Sequence, residues 1–290
     1  MENERLTKES QWDQGYADRM RSDPFVRSET YPALKSVILN CLGKTLHQYS
    51  LDYSDYLLWD VIFPKYLPRL EGANILEIGS APGDFLIQMA LRHKVNPYGV
   101  EYTQNGVAIN RKLFEMHNLQ PENIFNADLF DSEFQEQHRS SFDVVISRGF
   151  IEHFTNMNEV MDAHLNLLKQ GGYLVVSVPN FRGIYYLWIY LFRRSVLEWH
   201  NLDVMELTRF RRLFLDRNLS TSYCSYYGTV SLSLCNGGDR PIVRIFARLL
   251  HLLQRCFNVI LRFVFRKGGV ESKFFSPYLL YIGVKNGNDC

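Results

Sequence analysis

The sequence predicts an α/β protein built on a doubly wound, mostly parallel seven-stranded sheet with a helical cap insertion. Three observations predict it. Short apolar runs alternate with helical patterns from Asn74 to Asn180, as repeated βαβ units require. A glycine-bearing turn, Gly79-Ser80-Ala81-Pro82-Gly83, follows the first run, where an open α/β sheet binds its ligands. Acids mark the ends of the first three runs: Glu77, Glu101 and Asp128.

The chain has 290 residues, 46% of them hydrophobic, enough for one large core, which excludes a disordered or fibrous protein. Lys and Arg number 32 against 31 Asp and Glu, so no overall field draws a polyanion and a nucleic-acid partner is not expected. Met1–Gln14 lacks the apolar core of a secretory signal, so the protein is expected in the cytoplasm. Five scattered cysteines without a CxxC pair argue against disulfides and a structural zinc, and no metal is expected. No uncharged apolar run reaches the roughly 18 residues of a membrane span.

Asp52–Phe63 reads as a helix covering the first strand, with Pro64 and Pro68 limiting its end. Strands follow at Ile75–Ile78, Tyr98–Glu101, Ile124–Ala127, Phe142–Ser147 and Tyr173–Val178, separated by helices near Asp84–Arg92, Gln104–His117 and Asn158–Leu168. Lys169 and Gly171-Gly172 read as the stop of the last of these helices. Val204–Asp216 is helical with charges on one face, and Ser276–Lys285 is a final strand that tolerates Pro277 only at its beginning or at an edge. The expected organisation is an N-terminal helical lid over 1–70, a cofactor-binding core over 71–182, a cap over 183–201, and a last part of the sheet over 202–290 with an amphipathic helical insertion at 239–268.

The loop lacks the GxGxxG spacing that seats a pyrophosphate, and Glu77 would repel one while suiting a cation such as an amino group. Glu101 ends the second strand, where an acid accepts ribose hydroxyls, and Asp128 is placed to bond an exocyclic amine. From Trp12 to Asn180 the sequence resembles the class I S-adenosylmethionine-dependent methyltransferases, whose fold is Rossmann-like. The resemblance implies that Glu77, Gly79, Ser80, Ala81 and Gly83 bind the methionine part, Glu101 and Tyr102 the ribose side, and Asp128 and Leu129 the adenine, with S-adenosylhomocysteine as product. Ala81 followed by Pro82 stands where the family's middle glycine would be.

Phe142–Phe154, containing Arg148-Gly149-Phe150-Ile151-Glu152-His153, resembles the fourth-strand motif of small-molecule methyltransferases, including those of quinone biosynthesis. That resemblance places Arg148 at the cofactor, Glu152 at the acceptor, and His153 as a base for a hydroxyl acceptor, work that suits a near-neutral imidazole. His200, from the segment expected to cover the site, is a second acceptor-side candidate. Trp12–Arg19 resembles the aromatic segment that folds over the cofactor, with Tyr16 closing the pocket and Arg19 meeting the methionine carboxylate.

Gly183–Arg194 is an aromatic cap whose Tyr185 and Trp188 would suit a ring-shaped or lipid-like acceptor. In Arg240–Lys267 the residues Arg240, Arg244, Arg248, His251, Arg255, Asn258, Arg262 and Arg266 recur every three or four positions, forming one stripe on an otherwise apolar helix. That pattern predicts a helix in a membrane interface with arginines at anionic headgroups; packing on the cap or in a homodimer is the alternative. The expected function is methyl transfer to a small or lipid-linked hydroxyl acceptor. The alternatives are an RNA ribose methyltransferase, whose heat-shock type the loop also resembles although its Lys-Asp-Lys-Glu set is missing here, and a noncatalytic cofactor-binding scaffold.

Overall fold

The structure is a computed structural model that describes residues 5–21, 49–235 and 241–287. A helix α1 (Glu9–Arg21) precedes a helix α2 in three parts, Tyr53–Tyr56, Leu57–Ile62 and Phe63–Tyr66. Asp52 caps α2 by accepting the Ser54 N–H at 2.8 Å. Pro64 does not end this helix, because its missing N–H falls just after the wider middle turn, where the α-helical ladder is already interrupted.

The alternating units then follow: β1 (Asn74–Ile78), α3 (Asp84–His93), β2 (Asn96–Glu101), α4 (Gln104–Met116), β3 (Ile124–Asn126), α5 (Ser132–Gln137), β4 (Phe142–Arg148), α6 (Met157–Leu167) and β5 (Leu168–Pro179). Helix α7 (Ile184–Phe192), helix α8 (Leu207–Leu215), β6 (Leu219–Tyr227), helix α9 (Pro241–Phe265) and β7 (Tyr278–Lys285) complete the order. The seven strands form one sheet in the order β3-β2-β1-β4-β5-β7-β6. The first five are parallel, and β7 runs antiparallel between β5 and β6.

Period-two alternation sends Leu76, Ile78, Val145 and Val176 to one apolar layer and Ile75, Val144, Ile146 and Val175 to the other, so both faces are covered by helices. One expectation is corrected and one strand was not foreseen. Lys169, Gly171 and Gly172 lie inside β5 rather than at a helix end; Lys169 Nζ donates to Asp143 Oδ1 at 2.8 Å, which ties the β5 start to β4. The strand β6, rich in Ser, Thr and Tyr, has too little apolar alternation to be read from sequence, because its outer edge faces water. Pro277 stands immediately before β7, outside the ladder.

Helix α9 keeps its apolar face outward, but its polar stripe is turned inward, away from the expected headgroup contact. Val243, Ala247, Gln254, Asn258 and Leu261 are buried, whereas Ile245, Leu249, Leu252, Leu253, Ile260 and Phe263 are exposed. The polar stripe faces the protein: Asn258 Nδ2 donates to the Ser50 carbonyl at 3.2 Å, Gln254 Oε1 accepts the Leu232 N–H at 3.1 Å, and Arg262 lies 4.0 Å over the Tyr56 ring. His251 Nε2 stands 3.2 Å from the Leu232 carbonyl. Arg266 and Lys267 are exposed at the end of the helix. Arg240 and the side chains of Arg244 and Arg248 lie outside the described residues.

No helix of the described residues is long and apolar enough to cross a membrane.

Candidate functional site

A cleft of about 150 Å³ opens at the carboxyl ends of the parallel strands. Its floor comes from the loop after β1 and the ends of β2 and β4, through Gly79, Ala81, Glu101, Tyr102 and Arg148. Its roof comes from the N-terminal segment, through Arg5, Trp12 and Tyr16. Phe150, His153 and Phe154 close the far end.

The first loop is shaped by two glycines. Gly79 has φ +68° and any Cβ there would meet the Phe150 ring at 3.0 Å; Gly83, at φ +107°, starts α3 with Asn110 against it. Ser80 is buried and its Oγ accepts from Asn110 Nδ2 at 2.7 Å, so Ser80 and Gly83 hold the loop against α4 without lining the cleft. The Ala81 carbonyl accepts the Tyr16 hydroxyl at 3.3 Å, which fastens α1 over the loop.

Glu77 points beneath this loop. Its Oε1 accepts from Arg148 Nε at 3.2 Å, while its Oε2 is buried without a partner among the described residues. Burial pushes its carboxyl up to about 7, against the pull of the Arg148 guanidinium. Arg148 continues into the cleft, 3.9 Å over the Phe85 ring. Glu101 lines the cleft with Oε1 held by the Thr103 N–H at 2.9 Å and hydroxyl at 2.7 Å. Burial raises its carboxyl above the ordinary range, opposed by these bonds.

Asp128 does not stand free. Its Oδ1 accepts the Phe130 N–H at 3.0 Å and its Oδ2 forms an ion pair with Arg5. The Arg5 guanidinium lies 4.7 Å over the Tyr102 ring, so a flat cation from the N-terminal segment takes the position expected for an adenine. The Leu129 side chain is in the core rather than in the cleft. Arg19 belongs to α1, but its side chain lies outside the described residues.

His153, on the turn Ile151–His153, has its Nδ1 2.9 Å from the Trp199 carbonyl. A carbonyl only accepts, so Nδ1 carries the hydrogen and Nε2 a lone pair. Burial pulls the imidazole below its ordinary range, against the carbonyl, and keeps it neutral. The His200 ring lies tilted beside it, ring centres 4.5 Å apart, with Nδ1 2.6 Å from the Val196 carbonyl. Burial first, and His153 second, push His200 down to about 4. Glu152 is buried, its carboxyl pushed up to about 8 by that burial.

Tyr185 and Trp188 are corrected. Tyr185 is buried with its hydroxyl donating to the Phe275 carbonyl at 2.6 Å, and Trp188 stacks on Phe246 of α9. Both anchor the cap; the aromatic content of α7 served packing, and its free face carries Tyr186, Leu187, Tyr190 and Leu191. Sequence reasoning missed Arg5, Phe150 and Phe154. Trp12, spaced four residues from Tyr16, offered the one readable signal of the roof.

The groups present fit S-adenosylmethionine: an acid with capacity left beside an aromatic ring for the nucleoside, glycine backbone for close approach, and a buried carboxylate oxygen without a partner behind the loop. Residues 52–221 match the family model of a methyltransferase domain. A 119-residue stretch, 41% of this chain, is 32% identical to the tRNA U34 carboxymethyltransferase of Desulfotalea psychrophila and spans 36%, about a third, of that protein. Among solved structures, geranyl diphosphate C-methyltransferase from Streptomyces coelicolor A3(2) superposes with TM-score 0.53 at 12% identity, over 80% of this chain and 78% of that one. The MccD protein superposes with TM-score 0.52 at 13% identity, over 81% of this chain and 96% of that one. At these identities the superpositions speak to fold, and the matched domain speaks to family. More than half of the chain lies within that domain, so the protein belongs to the class I S-adenosylmethionine-dependent methyltransferases, with S-adenosylmethionine as its methyl donor.

Proposed function

We propose that the protein methylates a hydroxyl oxygen on a small amphiphilic acceptor that it meets at an anionic lipid surface. One observation carries the reaction: a neutral imidazole, His153, closes the acceptor end of the same cleft that Glu101, Tyr102 and the Gly79 loop floor. Glu101 would hold the ribose, and Arg148 with the Gly79–Gly83 backbone the methionine part. When bound, S-adenosylmethionine supplies a methyl carbon on a positively charged sulfur and leaves as the uncharged thioether. His153 accepts the hydroxyl proton at Nε2, so the oxygen approaches that carbon with its lone pair freed. Trp12, edge-on to His153 at 5.1 Å between ring centres, and the Phe150 and Phe154 rings keep water from the transfer.

The outward face of α9 supports the lipid surface. Each large apolar side chain left in water forgoes about 1.5–3 kcal/mol, and Ile245, Leu249, Leu252, Leu253, Ile260 and Phe263 are all so placed. Leu187 and Leu191 of α7 and Phe274 and Phe275 beside it are exposed as well. Arg266, Lys267 and Lys273 are exposed near the end of α9, where headgroups would meet them. Arg262 of the stripe is turned to the Tyr56 ring, so the apolar face makes the main contact.

Turnover with a labelled methyl donor against phenol, lipid-linked and tRNA acceptors tests the reaction. Label in a hydroxyl acceptor supports it. Label confined to tRNA overturns it in favour of the reading suggested by the tRNA-acting relative. Sedimentation with anionic liposomes tests the surface: wild type should pellet and Leu249→Glu/Leu253→Glu should not. Equal pelleting of both, or a soluble dimer lost in the variant, overturns it.

A further inference from the structure

Around His153, three side chains able to give an electron pair converge. Glu152, His153 and His200 each bring one side-chain ligand atom within 4.8 Å of the others. The Glu152 side chain is buried, 1% exposed, and its Oε2 has no hydrogen-bond partner among the described residues. Both imidazoles are oriented from behind, His153 by the Trp199 carbonyl and His200 by the Val196 carbonyl, which leaves Nε2 as the lone-pair atom of each. Metal-binding histidines are oriented in this way, with the far N–H given to a backbone carbonyl.

The two segments that supply these groups are tied together. The Asn201 N–H donates to the Glu152 carbonyl at 2.6 Å, and Asn201 Nδ2 donates to the Phe154 carbonyl at 3.1 Å. His200 is therefore delivered to Glu152 and His153 by the bonds its neighbour Asn201 makes to main-chain carbonyls of that turn. Bond lengths of about 2.0–2.2 Å place the ligands of one ion roughly 3–3.5 Å apart, a closure within reach of small side-chain rotations.

We infer that Glu152, His153 and His200 form a site for one first-row divalent transition-metal cation, of the zinc and cobalt kind. Two imidazoles and one carboxylate suit these ions, whereas magnesium and calcium take oxygen sets. Three protein ligands leave a position open, the arrangement of catalytic and not structural ions. Since His153 lines the cleft, that position opens towards the acceptor. Resting on the hydroxyl reading above, the inference deepens it: a bound ion would acidify an acceptor hydroxyl at its open position, the proton leaving to solvent, and ligation would then replace the proton-accepting role of His153 Nε2.

The test uses the full chain, stripped with a chelator and titrated with Zn²⁺ by calorimetry and with Co²⁺ by visible absorption. Wild type should take up one equivalent and show a Co²⁺ ligand-field band. Glu152→Gln and His200→Gln should each weaken binding by more than about a hundredfold, beyond the usual 10–100-fold cost of losing a supporting group, while retaining S-adenosylmethionine binding as proof of folding. Substoichiometric uptake, or uptake unchanged in both variants, overturns the site. Turnover of a hydroxyl acceptor unaffected by the chelator overturns the ion's part in the reaction. Ion binding with no turnover of any hydroxyl acceptor sustains the site and defeats the acceptor reading instead, so the two failures are distinct.

Discussion

Glu101 and Glu77 show how different two acids of one motif can be. Glu101 keeps one oxygen on Thr103 and faces the cleft, so Glu101→Gln should weaken S-adenosylmethionine binding roughly 10–100-fold, the range of a charge-assisted hydrogen bond of about 1.5–3 kcal/mol. Calorimetry checks this, and an unchanged affinity would remove Glu101 from the nucleoside site. Glu77 is enclosed, and its carboxyl is raised from 4.5 to about 7. A carboxyl raised by folding keeps its proton in the folded state; its contribution is complete below the unfolded value and fades as pH rises through the folded one. Without cofactor, wild type should therefore lose stability relative to Glu77→Gln between pH 4.5 and 7. Thermal melts that stay parallel across that range would show that Glu77 titrates normally. Both acids were legible in the sequence, because strand-end position is a matter of spacing. Their unequal exposure was not, since it depends on Arg148 folding back from a strand three βα units later.

At the level of elements, the N-terminal segment is the least anticipated part of the cleft. Arg5 pairs with Phe154 in an antiparallel bridge, and the Leu6 N–H donates to the His153 carbonyl at 2.8 Å, so the segment is fastened to the acceptor loop. Its guanidinium engages Asp128 and covers Tyr102. An adenine bound there competes with it, and Arg5→Ala is expected to tighten S-adenosylmethionine binding several-fold, the occluded state being removed. A weaker affinity in that variant would instead make Arg5 part of the nucleoside site. Nothing in the local pattern around Arg5 announces this contact, which joins residues 123 apart. The parallel strands were readable for the opposite reason: burial on both faces demands unbroken apolar runs. Strand β6 borders water and carries no such run. For α9 the periodicity was right, but the polar stripe expected at headgroups packs inward. A stripe every three or four residues defines a face, and only tertiary partners such as Ser50 and Tyr56 decide whether that face looks in or out.

Across the whole molecule, the apolar surface of α9 adds nothing to the fold of a lone chain in water. Leu249→Glu/Leu253→Glu should leave the melting temperature close to that of wild type, because no core cavity is opened. Two buried leucines would each cost about 2–5 kcal/mol on truncation, so a large fall in melting temperature would show the face to be covered by the protein itself. The sheet order has another consequence. Strand β7, residues 278–285, is interior, with β5 on one side and β6 on the other. During synthesis the ribosome therefore delivers β1 through β6 while the β5 edge still lacks its neighbour, and that nascent edge must wait unpaired until β7 clears the exit tunnel.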